Sequence, residues 1–163
     1  MSEERGINVL GICGSLRAGS YNKATLQTAI EIKPPGMTIE TADIGSIPLY
    51  NEDVRAPGFP PRVERFRAQI AAADALLFVT PEYNYTISGV LKNAIDWASR
   101  PPDQPFAGKP VAIIGAGAGM AGTARAVRSA PQLRLSRYAS AEQTRGAHRP
   151  GADQIRCLGP PDR

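Results

Sequence analysis

The sequence predicts a doubly wound α/β fold built on a parallel sheet. Two observations carry that prediction. Four short apolar runs, at 7–14, 38–45, 75–80 and 110–116, alternate with three stretches of helical spacing. Three of those runs also end in turns rich in glycine, proline or hydroxyl residues. Regular alternation of strand and helix is the pattern of a parallel sheet with helices on its faces. Such folds bind ligands at the carboxyl ends of the strands, where the winding direction reverses.

Each element has its own justification. "INVLGICG" (7–14), "ALLFVT" (75–80) and "PVAIIGA" (110–116) are nearly continuous in apolar residues, as strands covered on both faces must be. "TIETADIG" (38–45) alternates, as a more exposed strand does. In 22–33, Leu26, Ala29 and Ile30 fall at helical spacing. Val63, Phe66 and Ile70 do so in 61–73, and Leu91, Ile95 and Ala98 in 87–99. Trp97 and Ile95 read as core, and Lys92 with Asp96 as a surface ion pair of little consequence. The loop "SIPLYNEDVRAPGFPP" (46–61) is long and proline-rich, and reads as a wall or lid. Loops 14–22, 80–87 and 115–123 are left to form a site.

A chain of 163 residues is long enough for one domain with a real core. No apolar run reaches the length of a membrane span. The start, "MSEERGINVLG", does not read as a secretory signal. Two cysteines, Cys13 and Cys157, are too few for a disulfide scaffold, so the expected setting is reducing and cytoplasmic. Charge is uneven. Residues 1–123 carry 11 Lys and Arg against 12 Asp and Glu, whereas residues 124–163 carry 8 arginines against 3 acids. No aromatic interleaving or binding motif accompanies those arginines, which argues against nucleic acid as the partner. His148 has no partner cluster and is assigned nothing; no metal is expected.

The first loop, "GSLRAGSYN" (14–22), opens a helix near Ser20–Asn22. A helix start leaves N–H groups unpaired and carries partial positive charge, which makes it an anion site. Ser15, Ser20 and Asn22 add side-chain donors, and Arg17 a full charge. A phosphate suits that set. The competing reading is that Ser20 or Asn22 only caps the helix while Gly14 and Gly19 make the turn. The P-loop spacing is absent.

"GAGAGMAG" (115–122) matches the G-x-G-x-x-G dinucleotide fingerprint in letters, through Gly117, Gly119 and Gly122. It follows the fourth strand rather than the first. Glu142 lies at the right distance for the acidic residue, but "LRLSRYAS" before it is no convincing strand. The simpler reading is a glycine-rich loop that lets a flat ligand approach the backbone.

The middle stretch, "TPEYNYTISGVLKNAIDWAS" (80–99), ends the third strand at Thr80. It makes a tight loop at 81–84 and starts a helix near Ser88. Together with "GSLRAGSYN" it resembles the NADPH-dependent FMN reductase family, whose fold is flavodoxin-like and whose members reduce flavins, quinones, chromate or azo dyes. The resemblance spans residues 7–126. It implies that Ser15, Arg17, Ser20, Tyr21 and Asn22 surround the phosphate and ribityl chain of FMN. It implies that Pro81, Glu82, Tyr83 and Asn84 lie along the isoalloxazine ring, largely through backbone groups. Gly115, Ala116 and Gly117 would face the ring's pyrimidine edge, in a loop where many relatives carry serine or threonine. NADPH would be the electron donor and a small molecule the acceptor, with ping-pong kinetics and no catalytic side chain. The resemblance further implies a homodimer or homotetramer. An electron carrier without reductase activity and a nonfunctional truncated product are the competing functional readings.

After about residue 126 the resemblance stops. Relatives continue with a helix, a fifth strand and a closing helix. Here the tail is rich in Arg, Ala, Gly and Pro and has no sustained periodicity. GC-rich DNA read out of frame gives such a composition. Codons chosen for Leu135–Arg163 and read one base later can yield "SLDMHPLNKPEVHIGRAQIKFDALGRLTD", a string similar to the family's C-terminal region. The expectation is therefore a flavodoxin-like FMN-binding domain at 1–126. An atypical segment at 127–163 follows, from a frameshift near 125–134, with the fifth strand and last helix lost or altered.

Overall fold

The computed structural model describes residues 6–117. In chain order they form β1 (Ile7–Cys13), α1 (Tyr21–Ile32), β2 (Met37–Ala42), the short α2 (Glu52–Arg55) and α3 (Pro61–Ala72). Then come β3 (Ala75–Val79), β4 (Glu82–Tyr83), β5 (Thr86–Ile87), α4 (Gly89–Ala98) and β6 (Val111–Ile114). The tail at 127–163, the boundary near 126, His148 and Cys157 lie outside the described residues.

Four strands make one sheet in the order β2-β1-β3-β6, all neighbours parallel. The chain steps from β1 out to β2, then crosses back to place β3 on β1's other side. In sheets of this kind such a reversal, here between the carboxyl ends of β1 and β3, is where ligands bind. Registers such as Ile12↔Phe78 and Val79↔Ile114 bring the carboxyl ends of β1, β3 and β6 level.

One sheet face carries the main core. Leu10 and Ile12 of β1 and Leu76 and Phe78 of β3 pack with Val63, Phe66 and Ile70 of α3 and Leu91, Ala94, Ile95 and Trp97 of α4. Each large side chain removed from water there contributes about 1.5–3 kcal/mol. The faces of α3 and α4 read from sequence are thus the buried ones, and Trp97 is fully buried; on α1 Leu26 is buried while Ala29 and Ile30 are half-buried. On the other face Leu26 of α1 comes down on β1 at Gly11. A Cβ on Gly11 would stand 2.7 Å from Leu26 Cδ1, so a side chain there would require Leu26 to repack.

Three expectations need correction. Strand β6 is not covered on both faces: Val111 and Ile113 are half-buried, while Ala112 and Ile114 are exposed. Among the described residues β6 has a strand neighbour on one side only, β3, and apolar content alone does not report that. The 81–84 loop is part of a hairpin, β4 and β5, turning at Asn84 and Tyr85. The long loop carries α2, capped where the Asn51 side chain accepts from Asp53 N–H. The same loop is a packed wall. Pro48 O accepts from Asn93 Nδ2 and Trp97 Nε1, both at 2.8 Å, and Tyr50 N–H donates to Asn93 Oδ1 at 2.8 Å.

Candidate functional site

The site is assembled at this reversal from three turns, each following a strand: 14–20 after β1, 80–88 after β3 and 115–117 after β6. The first turn leads into α1, whose N-cap is Ser20. The Ser20 hydroxyl accepts from Asn22 N–H (3.2 Å) and Lys23 N–H (3.3 Å), so its own proton remains to donate. Helix capping and anion binding are therefore compatible uses of the same residue. Among the described residues, the backbone N–H groups of Ser15, Leu16, Arg17, Ala18 and Gly19 meet no acceptor.

Two cations flank that run. Arg17 lies over the Tyr21 ring at 5.4 Å and its Nη2 donates to Gly19 O. Lys23 Nζ donates to Leu16 O at 3.2 Å. Neither pairs with a carboxylate among the described residues. N–H groups without acceptors among the described residues, a helix N-terminus and two such cations are the kind of donor set that suits an anion.

The second turn is held against the first by close packing. Gly14 N–H donates to Val79 O at 2.8 Å, extending the β1–β3 pairing by one residue. A Cβ on Gly14 would lie 2.7 Å from Thr80 Oγ1 and 2.8 Å from Ser88 Oγ. Thr80 and Ser88 are both buried. Thr80 Oγ1 accepts from Ser88 N–H (3.4 Å), and Ser88 Oγ accepts from Leu91 N–H (3.4 Å) as N-cap of α4. Beyond Pro81 the hairpin pairs Tyr83 with Thr86 through Asn84 (φ 51°) and Tyr85 (φ 63°). Two central residues at positive φ define a type I′ turn, the form whose twist matches the strands. Glu82 is partly buried and Tyr83 is exposed.

The third turn is held by a long-range pair. Thr80 N–H donates to Ile114 O at 3.0 Å, a last backbone rung between β3 and β6. Two residues further on, Ala116 O accepts from Asn22 Nδ2 at 2.9 Å, and Ala116 N–H donates to Asn22 Oδ1 at 3.0 Å. Gly115 and Ala116 are partly buried and Gly117 is exposed.

All twelve residues read from the sequence thus lie on these three turns or at the start of α1. Sequence reasoning missed the tight meeting of Gly14 with Thr80 and Ser88; the signal was a hydroxyl at the end of an apolar strand and another just before a helix. Cys13, at the end of β1, donates to Ser15 O at 3.8 Å; burial pushes its pKa up, against the smaller opposing effects of that contact and of Lys23. Its sulfur is held as a thiol at neutral pH. Among the described residues no cluster of His, Cys, Asp and Glu suits a metal ion, and no helix is long and apolar enough to cross a membrane.

A parallel sheet in the order 2-1-3 followed by a fourth strand, with an anion-receptive turn after β1, defines a flavodoxin-like protein. The chain belongs to the NADPH-dependent FMN reductase family, whose sequence profile matches residues 7–135. It is 76% identical over 120 residues to the NAD(P)H-dependent FMN reductase PA1204 of Pseudomonas aeruginosa, covering 74% of this chain and 65% of that one. It is 49% identical over 127 residues to a quinone reductase of Escherichia coli K12, covering 77% and 66% respectively. Among solved structures it superposes on FerB, a flavoenzyme NAD(P)H:(acceptor) oxidoreductase from Paracoccus denitrificans. That match has a TM-score of 0.73 and 36% identity, over 80% of this chain and 72% of that one. The chain spans 60–66% of the length of curated relatives such as these, less than two thirds of each.

Proposed function

We propose that this chain is an FMN-dependent oxidoreductase that takes electrons from NAD(P)H and passes them to a small-molecule acceptor of the quinone, azo or metal-oxyanion kind. The observation that carries the reading is the first turn: N–H groups from Ser15 to Gly19 that meet no acceptor among the described residues, the α1 N-terminus, and Arg17 and Lys23, which hydrogen-bond only to carbonyls of the turn itself there. That donor set suits a dianionic phosphate monoester.

FMN, when bound, supplies the two-electron chemistry, taking up hydride and handing electrons on. The chain's own residues bind and orient. Ser15, Arg17 and Ser20 hold the phosphate through hydroxyl, guanidinium and backbone donors, with Tyr21 and Asn22 completing the surround of the phosphate and ribityl chain. Pro81, Glu82, Tyr83 and Asn84 line one edge of the ring through the backbone of the second turn. Gly115, Ala116 and Gly117 present a side-chain-poor surface to its other edge, which allows close approach. No proton need leave a protein side chain in this scheme. We further propose a cytoplasmic setting, a dimeric or tetrameric assembly, and a family-like domain that ends near residue 126 with a frameshifted segment after it. The nucleotide sequence tests the last of these: an interrupted or unrelated shifted frame removes it.

The functional test is an absorbance spectrum of full-length protein purified with FMN, then steady-state NADPH oxidation with a quinone. A yellow protein that turns over supports the reading. A yellow protein with no turnover supports an electron carrier instead. A folded, colourless protein that does not take up FMN at high concentration ends it.

A further inference from the structure

We propose that Asn22 acts on flavin binding from behind, as a clamp on the third turn, and does not itself hold the phosphate. The inference rests on the FMN reading above and assigns one of its residues a different task. Asn22 is the second residue of α1 and only 3% exposed. Its amide offers one carbonyl and two N–H protons. The carbonyl takes the Ala116 N–H, and one N–H goes to the Ala116 carbonyl. The two groups of a single backbone residue are thus paired as a neighbouring strand would pair them. Among the described residues the last backbone rung between β3 and β6 is at Ile114, and Asn22 supplies two more hydrogen bonds beyond it. The link joins positions 94 residues apart and fixes the 115–117 turn to the start of α1. Asparagine is a weak helix former, and this pairing gives a reason for it inside the first turn.

The consequence separates a clamp from a ligand. A residue touching the phosphate affects FMN but not riboflavin, which lacks that group. A residue that sets the 115–117 turn affects both, because that turn faces the ring they share. Asn22→Ala should therefore weaken FMN and riboflavin by the same factor, about tenfold for a lost pair of partly buried hydrogen bonds. The visible band of bound FMN should shift as well. Arg17→Ala should weaken FMN and leave riboflavin nearly unchanged. Titration of each flavin into wild-type and variant full-length protein reads both. In addition, the Ala116 amide of wild-type apoprotein should be protected from hydrogen exchange, a measurement that does not need the variant to fold.

An Asn22→Ala protein that loses FMN affinity while keeping riboflavin affinity would place the amide on the phosphate and overturn the clamp. So would unchanged affinity for both flavins, or a freely exchanging Ala116 amide in the wild type. Wild-type protein that binds neither flavin while its Ala116 amide is protected is a different failure: it removes the FMN reading and leaves the clamp as a purely structural link, which also overturns the proposal.

Discussion

Gly14 shows how little room the site leaves. Its missing side chain is the space in which Thr80 and Ser88 stand, at 2.7 and 2.8 Å from where a Cβ would be. Both neighbours are buried; the Thr80 hydroxyl accepts from Ser88 N–H across the second turn, and the Ser88 hydroxyl caps α4. Gly14→Ala should therefore cost about 1–3 kcal/mol by overpacking, read as a lower urea midpoint at unchanged slope. Cys13, one residue earlier, gives a prediction with a sign. Burial raises the pKa of its thiol in the folded protein above the ordinary value of 9.0. The folded state then keeps its proton over a range in which the unfolded state has lost it. That contribution is complete below the ordinary thiol pKa and is lost as pH rises through the folded value. Cys13→Ala should accordingly show a shallower fall in stability above about pH 9 than wild type, in thermal melts across the alkaline range. Equal slopes would mean that the thiol is not desolvated.

Helix α4 is finished at both ends by residues from elsewhere in the chain or from its own cap. Ser88 satisfies its N-terminus beside the site. At the far end Arg67 of α3, itself 9% exposed, donates to Ala98 O (2.5 Å), Arg100 O (2.8 Å) and Asp103 O (2.6 Å), and lies 4.3 Å over the Phe59 ring. Burial lowers its pKa, and nearby Asp103 works against that. Carbonyls at a helix C-terminus welcome a cation. Removing the guanidinium leaves several carbonyls short of donors, so Arg67→Met should destabilise the protein by about 2–4 kcal/mol. Because Arg67 lies at the end of α4 away from Ser88, FMN affinity of the folded fraction should not change. Chemical denaturation and flavin titration of one preparation check both halves.

For the whole molecule, the site lies where three chain segments meet, so ligand binding and global stability are linked. A ligand that binds only the folded state at a hundred times its Kd stabilises by about 2.7 kcal/mol. FMN should raise the melting temperature in proportion to the logarithm of its concentration, and riboflavin should do so less. Added salt should erode the FMN effect more, since FMN carries the charged phosphate proposed to lie near Arg17 and Lys23 and riboflavin does not. Equal effects from both flavins at all salt concentrations would remove the phosphate from the first turn.

The sequence by itself determined what is local or periodic. Strand and helix alternate where the apolar runs said they would, and Leu26, Phe66, Ile70, Leu91 and Ile95 are buried on the faces read from their spacing. Helix starts at Ser20 and Ser88 were legible because a cap acts within three residues. Other features had no such signal. The hairpin at 82–87 was hidden because Tyr85 occupies a left-handed position at which glycine is the usual marker. Trp97 read as core, but that its indole N–H would find Pro48 O could not be read, nor that Gly14 would lie against Thr80 and Ser88. Asn22 read as a donor near an anion; that its amide would also pair with Ala116, 94 residues away, had no local signal. Spacing encodes which face of an element is apolar. Which polar groups meet across elements depends on the crossover that returns the chain past β1, and only the tertiary structure decides that.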